Sequence, residues 1–407
     1  MLRPSIVPAL VFLAVLPLNH TNALRLTALF SLGLIAVVQA LRYPAPTLPA
    51  RIPLALWAGL ALLSAVWSAN PPFSLGEFKT EVVYGLIALG GFFVLTRNRS
   101  IFHAFLGTAL LGVLVTLLVS VVHIWQRGGW VGYEWEWQHG FVSYSTYLAT
   151  IFPLLLYALI CRWDQKWIRP VTALAVPLFL FVGYATLNRM FWLTLAISGL
   201  LVLGLHWRSQ SEPKQRRLLA LSTAVGLGIV SLIFVAVTMQ RMVDPLQTQA
   251  QPTATLAHVE HTFTRSERFQ IWQYWAGHIQ EKPWAGVGFG RDLPHMVYKK
   301  PPEWFGLMFA HAHNLFLNYA LQLGLPGVLV LLLLFGALGR TFWMIYRSPD
   351  QETSSVGAIG LGVLAAMISK NMTDDLFWRT DALLFWALMG MLLGYGIRSC
   401  SVATQLK

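Results

Sequence analysis

The stretch HAHNLFLNYALQLGLPGVLVLLLLFG, residues 311–336, decides how the chain is read. Its first residues close a long polar segment, Gln240 to His313. From Asn314 onward it becomes apolar for about 20 residues, the length a helix needs to cross a ~30 Å hydrocarbon core. Comparable apolar runs recur from end to end. The 407 residues are 56% hydrophobic and 11% charged, with a mean hydropathy of +0.59, whereas soluble domains average about 25% charged residues. The fold class expected is therefore all-α and polytopic in a membrane. A soluble helical bundle is excluded, because it has no use for so many uncharged runs.

Twelve spans are predicted, near residues 5–19, 26–41, 52–68, 80–96, 103–125, 142–161, 170–187, 191–206, 218–239, 314–336, 354–370 and 381–397. The organisation expected is 1–239 with spans one to nine, 240–313 as one large outer loop with short helices, and 314–407 with spans ten to twelve. The first run, Ile6 to Leu18, follows Arg3 and has the look of a signal peptide. A second apolar segment follows at once, so a retained first helix is expected.

The net charge of +12 is explained by cytoplasmic loops rich in Lys and Arg, so no nucleic-acid partner is expected. Only Arg25, Lys79, Arg127, Arg189, Lys370 and Arg379 fall in short outer loops or the adjoining helix ends. This bias predicts both termini in the cytoplasm and the large loop outside. The acidic residues run the other way, since only Asp164, Glu212, Asp350 and Glu352 are predicted inside. Cys161 and Cys400 lie far apart and form neither a disulfide framework nor a cysteine metal site.

The outer loop holds six of the eleven histidines. Inside it Thr264 and Glu267 have capping-box spacing, which predicts a helix over 265–281 ending at Pro283. Arg265, Arg268 and Trp272 share one face of that helix. Two arginines at a helix start suit a phosphate clamp; the plain alternative is pairing with a surface carboxylate. The segment PWAGVGFG, residues 283–290, lacks the glycine spacing and context of a dinucleotide fingerprint and reads as a tight re-entrant turn at the membrane surface. The aromatic stretch Trp125 to His139 reads as an interfacial belt or as a face for lipid or sugar. Glu77, Lys79 and Glu81 open a span.

Arg189 sits between two spans with almost no loop, where an arginine either snorkels or faces a polar cavity. Lys370, Asp374 and Asp375 read as a salt-bridged outer rim. His313, at the start of a span, suits deprotonation of a hydroxyl, or is simply a satisfied helix-end polar group. His311 carries the same two readings and the further option of a metal. No carboxylate stands at zinc-ligand spacing, so no metal is expected.

His313-Asn314-Leu315-Phe316-Leu317, followed by Leu323-Gly324-Leu325-Pro326-Gly327, resembles the H-N-x-x-L … L-G-x-x-G signature of the O-antigen ligase/polymerase superfamily. Arg268 with Trp272, then Pro283 and Gly286-Val-Gly288, is similar to that family's R-x-x-x-W … P-x-x-G-x-G stretch. Arg189 matches the arginine that ends a span in the family's middle, and Trp67-Ser68 before a proline-containing outer loop is also similar. The resemblance implies a GT-C-type glycosyltransferase of the bacterial inner membrane, active on the periplasmic face, with neither metal nor nucleotide cofactor. It implies an undecaprenyl-diphosphate-linked O-antigen donor, a lipid A–core acceptor and membrane lipid as partners. His313 would be the base. Arg189 and Arg268 would hold the diphosphate, with Arg265 matching less firmly. His311, Asn314 and Lys79 are further substrate-binding candidates. Attack on an α-linked donor would invert the anomeric centre. An O-antigen polymerase and a protein O-oligosaccharyltransferase would use similar residues. A transporter is the alternative of another class, but the candidate charges cluster on the outer side instead of at the midplane.

Overall fold

The computed structural model describes residues 4–18, 20–44, 46–126, 141–161, 168–186, 188–209, 223, 226, 228–229, 231–236, 267–298 and 311–405. Thr264, Arg265, most of the aromatic stretch 125–139 and the loop segments 240–266 and 299–310 lie outside the described residues, as does most of the span predicted over 218–239.

Every regular element described is helical. They are α1 (Val7–Val15), α2 (Asn22–Arg42), α3 (Arg51–Leu63), α4 (Pro71–Glu77), α5 (Tyr84–Leu95), α6 (Arg99–Gln126), α7 (Phe141–Cys161), α8 (Ile168–Ala185), α9 (Arg189–Ser209), α10 (Glu267–Ile279), α11 (Leu293–Val297), α12 (Leu315–Tyr346), α13 (Gln351–Lys370) and α14 (Arg379–Gln405). A π-helical turn, Phe78–Val83, joins α4 to α5. Among the described residues eight helices are long and apolar enough to cross a membrane, and two shorter apolar stretches, Arg51–Val66 and Leu174–Ala185, accompany them. The polytopic all-α class holds. α1 covers only 9 residues, and the described residues do not establish a count of twelve.

The order of burial follows from composition. In α14, 94% of the apolar window is buried, against 28% in α2, so α14 is the axis and α2 the periphery. Small residues allow this. A Cβ on Gly390 would stand 2.3 Å from the Leu89 carbonyl oxygen, and one on Gly394 2.6 Å from that of Phe93. The Gly390-x-x-x-Gly394 spacing thus lets α14 lie directly on the α5 backbone, the packing that membrane helices use where lipid supplies no hydrophobic drive. At one end of the axis an aromatic box forms, with Trp57 and Trp386 5.4 Å apart and Phe377 and Phe385 5.4 Å apart. Trp57 Nε1 donates to the Tyr319 hydroxyl at 3.1 Å. At the other end Arg99 pairs with Glu352 at 2.6 Å, and Glu352 also meets His103 at 3.0 Å.

α12 is broken. Gly324 has φ 70° and ψ −171°, so the helix stops and restarts there. The 283–290 turn docks on this break. Val287 N–H donates to Leu321 O at 2.9 Å, Gly288 N–H to Gln322 O at 2.9 Å, and Leu325 N–H to Pro283 O at 2.7 Å. Gly290 N–H donates to Gln322 Oε1 at 2.8 Å. On its other side the turn is held by α3 and the residues after it: Phe289 N–H donates to Ser64 Oγ at 2.9 Å and Trp67 Nε1 to Ala285 O at 2.8 Å. Gly286, Gly288 and Gly290 all have positive φ, which only glycine adopts freely.

Candidate active site

The described chain resumes at His311, just ahead of α12. Asn314 caps α12 by accepting from Phe316 N–H at 3.0 Å and Leu317 N–H at 3.1 Å. Its Nδ2 donates to Met372 O at 2.9 Å, while Leu315 N–H donates to Asn371 O at 2.9 Å. The start of α12 is thereby tied to the α13–α14 connection, residues 371–378. Asn314 is thus committed to holding backbone. His313 stands just before this cap, half-buried, with φ 48°, a left-handed conformation in which His, Asn and Asp are enriched among non-glycine residues.

His311 is buried. Its ring lies 4.0 Å from that of His313, and its Nδ1 accepts His313 N–H at 3.1 Å. Its Nε2 meets an Arg291 Nη2. A neutral imidazole has one lone pair to offer, so the two donors compete for it. Burial, then the positive charge of Arg291, holds the His311 pKa well below its ordinary value, with His313 and Arg268 adding to the effect. His311 is therefore neutral at physiological pH.

Arg291 is a residue that composition and motif did not single out. Its Nε lies 4.0 Å from Asp375 Oδ2, and its guanidinium carbon sits 4.6 Å from the Trp378 ring centroid. Asn318 also donates to Asp375 Oδ2. Burial pushes the Asp375 carboxyl up to about 6, against the opposing pull of Arg291 and the Asn318 bond. Beside it, Asp374 accepts from Lys370 Nζ at 2.5 Å and from Arg268 Nη2 at 3.1 Å.

Lys370, Asp374 and Asp375 were expected as a salt-bridged outer rim; the Lys370–Asp374 ion pair is there, but all three residues are buried. Lys370 is 0% exposed, Asp374 2% and Asp375 3%. The reason is the overlying His311–Leu315 entry, which turns the 371–378 connection inward. A cavity of about 20 Å³ adjoins the cluster, lined by Glu81, Arg291, Tyr319, Gln322, Asp375 and Trp378 among others. It has room for about one water.

The structure brings His311, His313, Asn314 and Arg268 to one place. α10 begins at Glu267 and ends at Ile279, so Arg268 stands in its first turn, as the phosphate-clamp reading requires. The Asp374 pairing is the carboxylate alternative, now met by a buried partner. The Arg268 side chain remains 42% exposed, so one carboxylate does not exhaust its donors. Arg189 begins α9 and is exposed. Asn188 caps that helix from Met190 N–H at 3.0 Å. Further along α9, Thr194 meets Ser369 at 3.5 Å, one residue from Lys370, so the start of α9 stands at the cluster's end of the bundle. Lys79 is exposed on the π-helical turn, between Glu77 and Glu81, both of which reach the 378–379 backbone and indole. Arg265 lies outside the described residues.

A signal for the missed residues is present in α12. Asn314, Asn318 and Gln322 repeat every four residues in an otherwise apolar run, a polar stripe on one helix face. Among the described residues no three His, Cys, Asp or Glu side chains group as metal ligands. The arrangement offers a half-buried imidazole, a neutral one behind it and several guanidinium groups, which is suited to deprotonating a hydroxyl beside an anionic leaving group.

No curated protein matches the chain. Residues 174–332, from within α8 to past the Gly324 break, match the family described as O-antigen ligase, a match that supports membership of the O-antigen ligase/polymerase superfamily.

Proposed function

We propose that this chain is an O-antigen ligase, joining a glycan from undecaprenyl diphosphate to lipid A–core on the periplasmic face of the inner membrane. The observation that carries the reading is that the matched stretch contains Arg189, Arg268, His311 and His313, and Arg268 and both histidines gather at one end of the bundle. His313 takes the proton of the acceptor hydroxyl as its oxygen attacks the anomeric carbon. The bond from that carbon to the diphosphate oxygen breaks, and the diphosphate leaves with the electron pair. Arg189 and Arg268 meet its charge, so no metal is required. Attack from the face opposite the leaving group inverts the centre. His311, kept neutral by burial, supports the His313 backbone through its Nδ1.

The test is lipopolysaccharide gel analysis of a ligase-null strain complemented with this chain. A restored ladder on lipid A–core is expected. Laddering only in a strain limited to single-repeat lipopolysaccharide would replace the ligase reading with a polymerase. Orientation is tested separately, in a chain with Cys161 and Cys400 replaced by serine. Met296→Cys, at a position 54% exposed, should react with a membrane-impermeant thiol reagent in intact spheroplasts. Arg347→Cys, at the far end of α12, should react only after lysis. The reverse pattern would place the site in the cytoplasm.

A further inference from the structure

The start of α14 carries an arginine that the reaction above does not use. Arg379 is exposed, and its φ of 44° is uncommon for a residue with a side chain. Two carboxylates fix it there through neutral donors. Arg379 N–H donates to Glu81 Oε2 at 2.8 Å, and the neighbouring Trp378 Nε1 donates to Glu77 Oε2 at 3.1 Å. With its N–H so held, the indole presents its ring to cations. The Arg379 guanidinium carbon lies 3.9 Å from the ring centroid and that of Arg291 4.6 Å from the same centroid. The two guanidinium groups thus meet at one indole.

Glu81 and Asp375 are buried, whereas Arg379 and Lys79 are exposed. Among the described residues no carboxylate forms an ion pair with the Arg379 guanidinium, while Arg291 has Asp375 at 4.0 Å. Two like charges on one indole repel, and a planar guanidinium matches phosphate with paired donors. We propose that Arg379, backed by Arg291 on the Trp378 ring, binds a phosphate group carried by one of the two substrates, at a position additional to Arg189 and Arg268. This rests on the transferase reading above. The phosphate belongs either to the donor diphosphate or to the acceptor.

The experiment has two arms, both on the full chain purified in detergent. In the first, inorganic diphosphate is titrated while thermal unfolding is followed. The wild type is expected to be stabilised. Arg379→Ala and Arg379→Gly lose part of that effect, Arg189 and Arg268 retaining the rest, and Arg379→Lys loses less. The glycine variant also relaxes the backbone, so weakened binding with intact folding separates the side chain from the strain. In the second arm, KM is measured for donor and for acceptor, the acceptor being used with and without its phosphates. Arg379→Ala should raise one KM about tenfold or more, with kcat changed no more than about threefold. A rise for donor assigns the site to the diphosphate, and a rise confined to the phosphorylated acceptor assigns it there. Wild-type-like stabilisation and KM values in both the alanine and glycine variants would overturn the proposal, as would a wild type that diphosphate does not stabilise. A wild type that performs no transfer, but whose diphosphate stabilisation falls in Arg379→Ala, would sink the transferase reading and leave the anion site standing.

Discussion

Lys370 Nζ and Asp374 Oδ2 lie 2.5 Å apart with both side chains essentially sealed from solvent, at 0% and 3% exposure. Such a pair is held by mutual neutralisation; each partner alone is a liability. Asp374→Asn should therefore cost about 3–5 kcal/mol, by taking from the buried Lys370 its ion-pair partner. Lys370→Met should cost less, because Asp374 keeps Arg268. The double variant should be more stable than Asp374→Asn alone. Thermal melts of the four proteins in detergent close the cycle, and additive losses would show that the two residues do not couple.

His313→Ala should insert normally and still bind the lipid-linked donor. Transfer should fall by a factor on the order of 10²–10⁴, the usual contribution of a general base. His313→Asn is the sharper control. Asparagine tolerates the left-handed backbone at this position but takes up no proton, so it should be folded and equally inactive. His311→Ala should be milder. Full activity of His313→Asn in a purified assay would remove the base, and loss of wild-type activity in chelator would make the two histidines metal ligands.

Gly324→Ala should unfold the junction between α12 and the 283–290 turn. The new Cβ would lie 2.5 Å from the Trp284 carbonyl carbon, and a φ of 70° adds roughly 1–3 kcal/mol of backbone strain for a non-glycine residue. A lowered melting temperature together with lost transfer is expected. An unchanged melt would mean that the break is not needed for stability.

Two titrations oppose each other in mild acid. The folded chain holds the His311 pKa below that of the unfolded chain, so unfolding takes up a proton and stability drops as pH falls below about 6.5. Asp375 behaves inversely. Its pKa is raised from 3.8 to about 6 in the folded chain, so its contribution is greatest below the unfolded value and is lost as pH rises towards 6. Asp375→Asn should therefore steepen the loss of stability between pH 6 and 4, and His311→Gln should flatten it. Melting temperatures against pH in this window decide, and parallel curves for all three proteins would refute the assignment.

The helical runs are legible in the sequence because hydropathy is a local property, but not all their ends are: α12 runs on to Tyr346 and α14 to Gln405, past the expected ends at 336 and 397. The site is less so. The Lys370–Asp374 spacing is plain in the sequence, but its burial depends on residues 311–315 lying over it, a relation across more than fifty positions. Arg291 meets His311 across twenty positions that no periodicity links. The glycines of 283–290 announce a turn. That the turn seats itself on a break at Gly324 depends on backbone groups, N–H to C=O, which carry no side-chain signature.

The break at Gly324 makes residues 283–327 a single unit of exchange. The turn and the helix supply each other's missing backbone partners, Pro283 with Leu325, Val287 with Leu321 and Gly288 with Gln322. A chimera between two such proteins that moves this block whole keeps these pairs together. One that cuts within it mates a turn with a foreign break and leaves N–H and C=O groups facing one another out of register. Seams before Pro283 and after Gly327 are thus the ones that keep these backbone pairs matched.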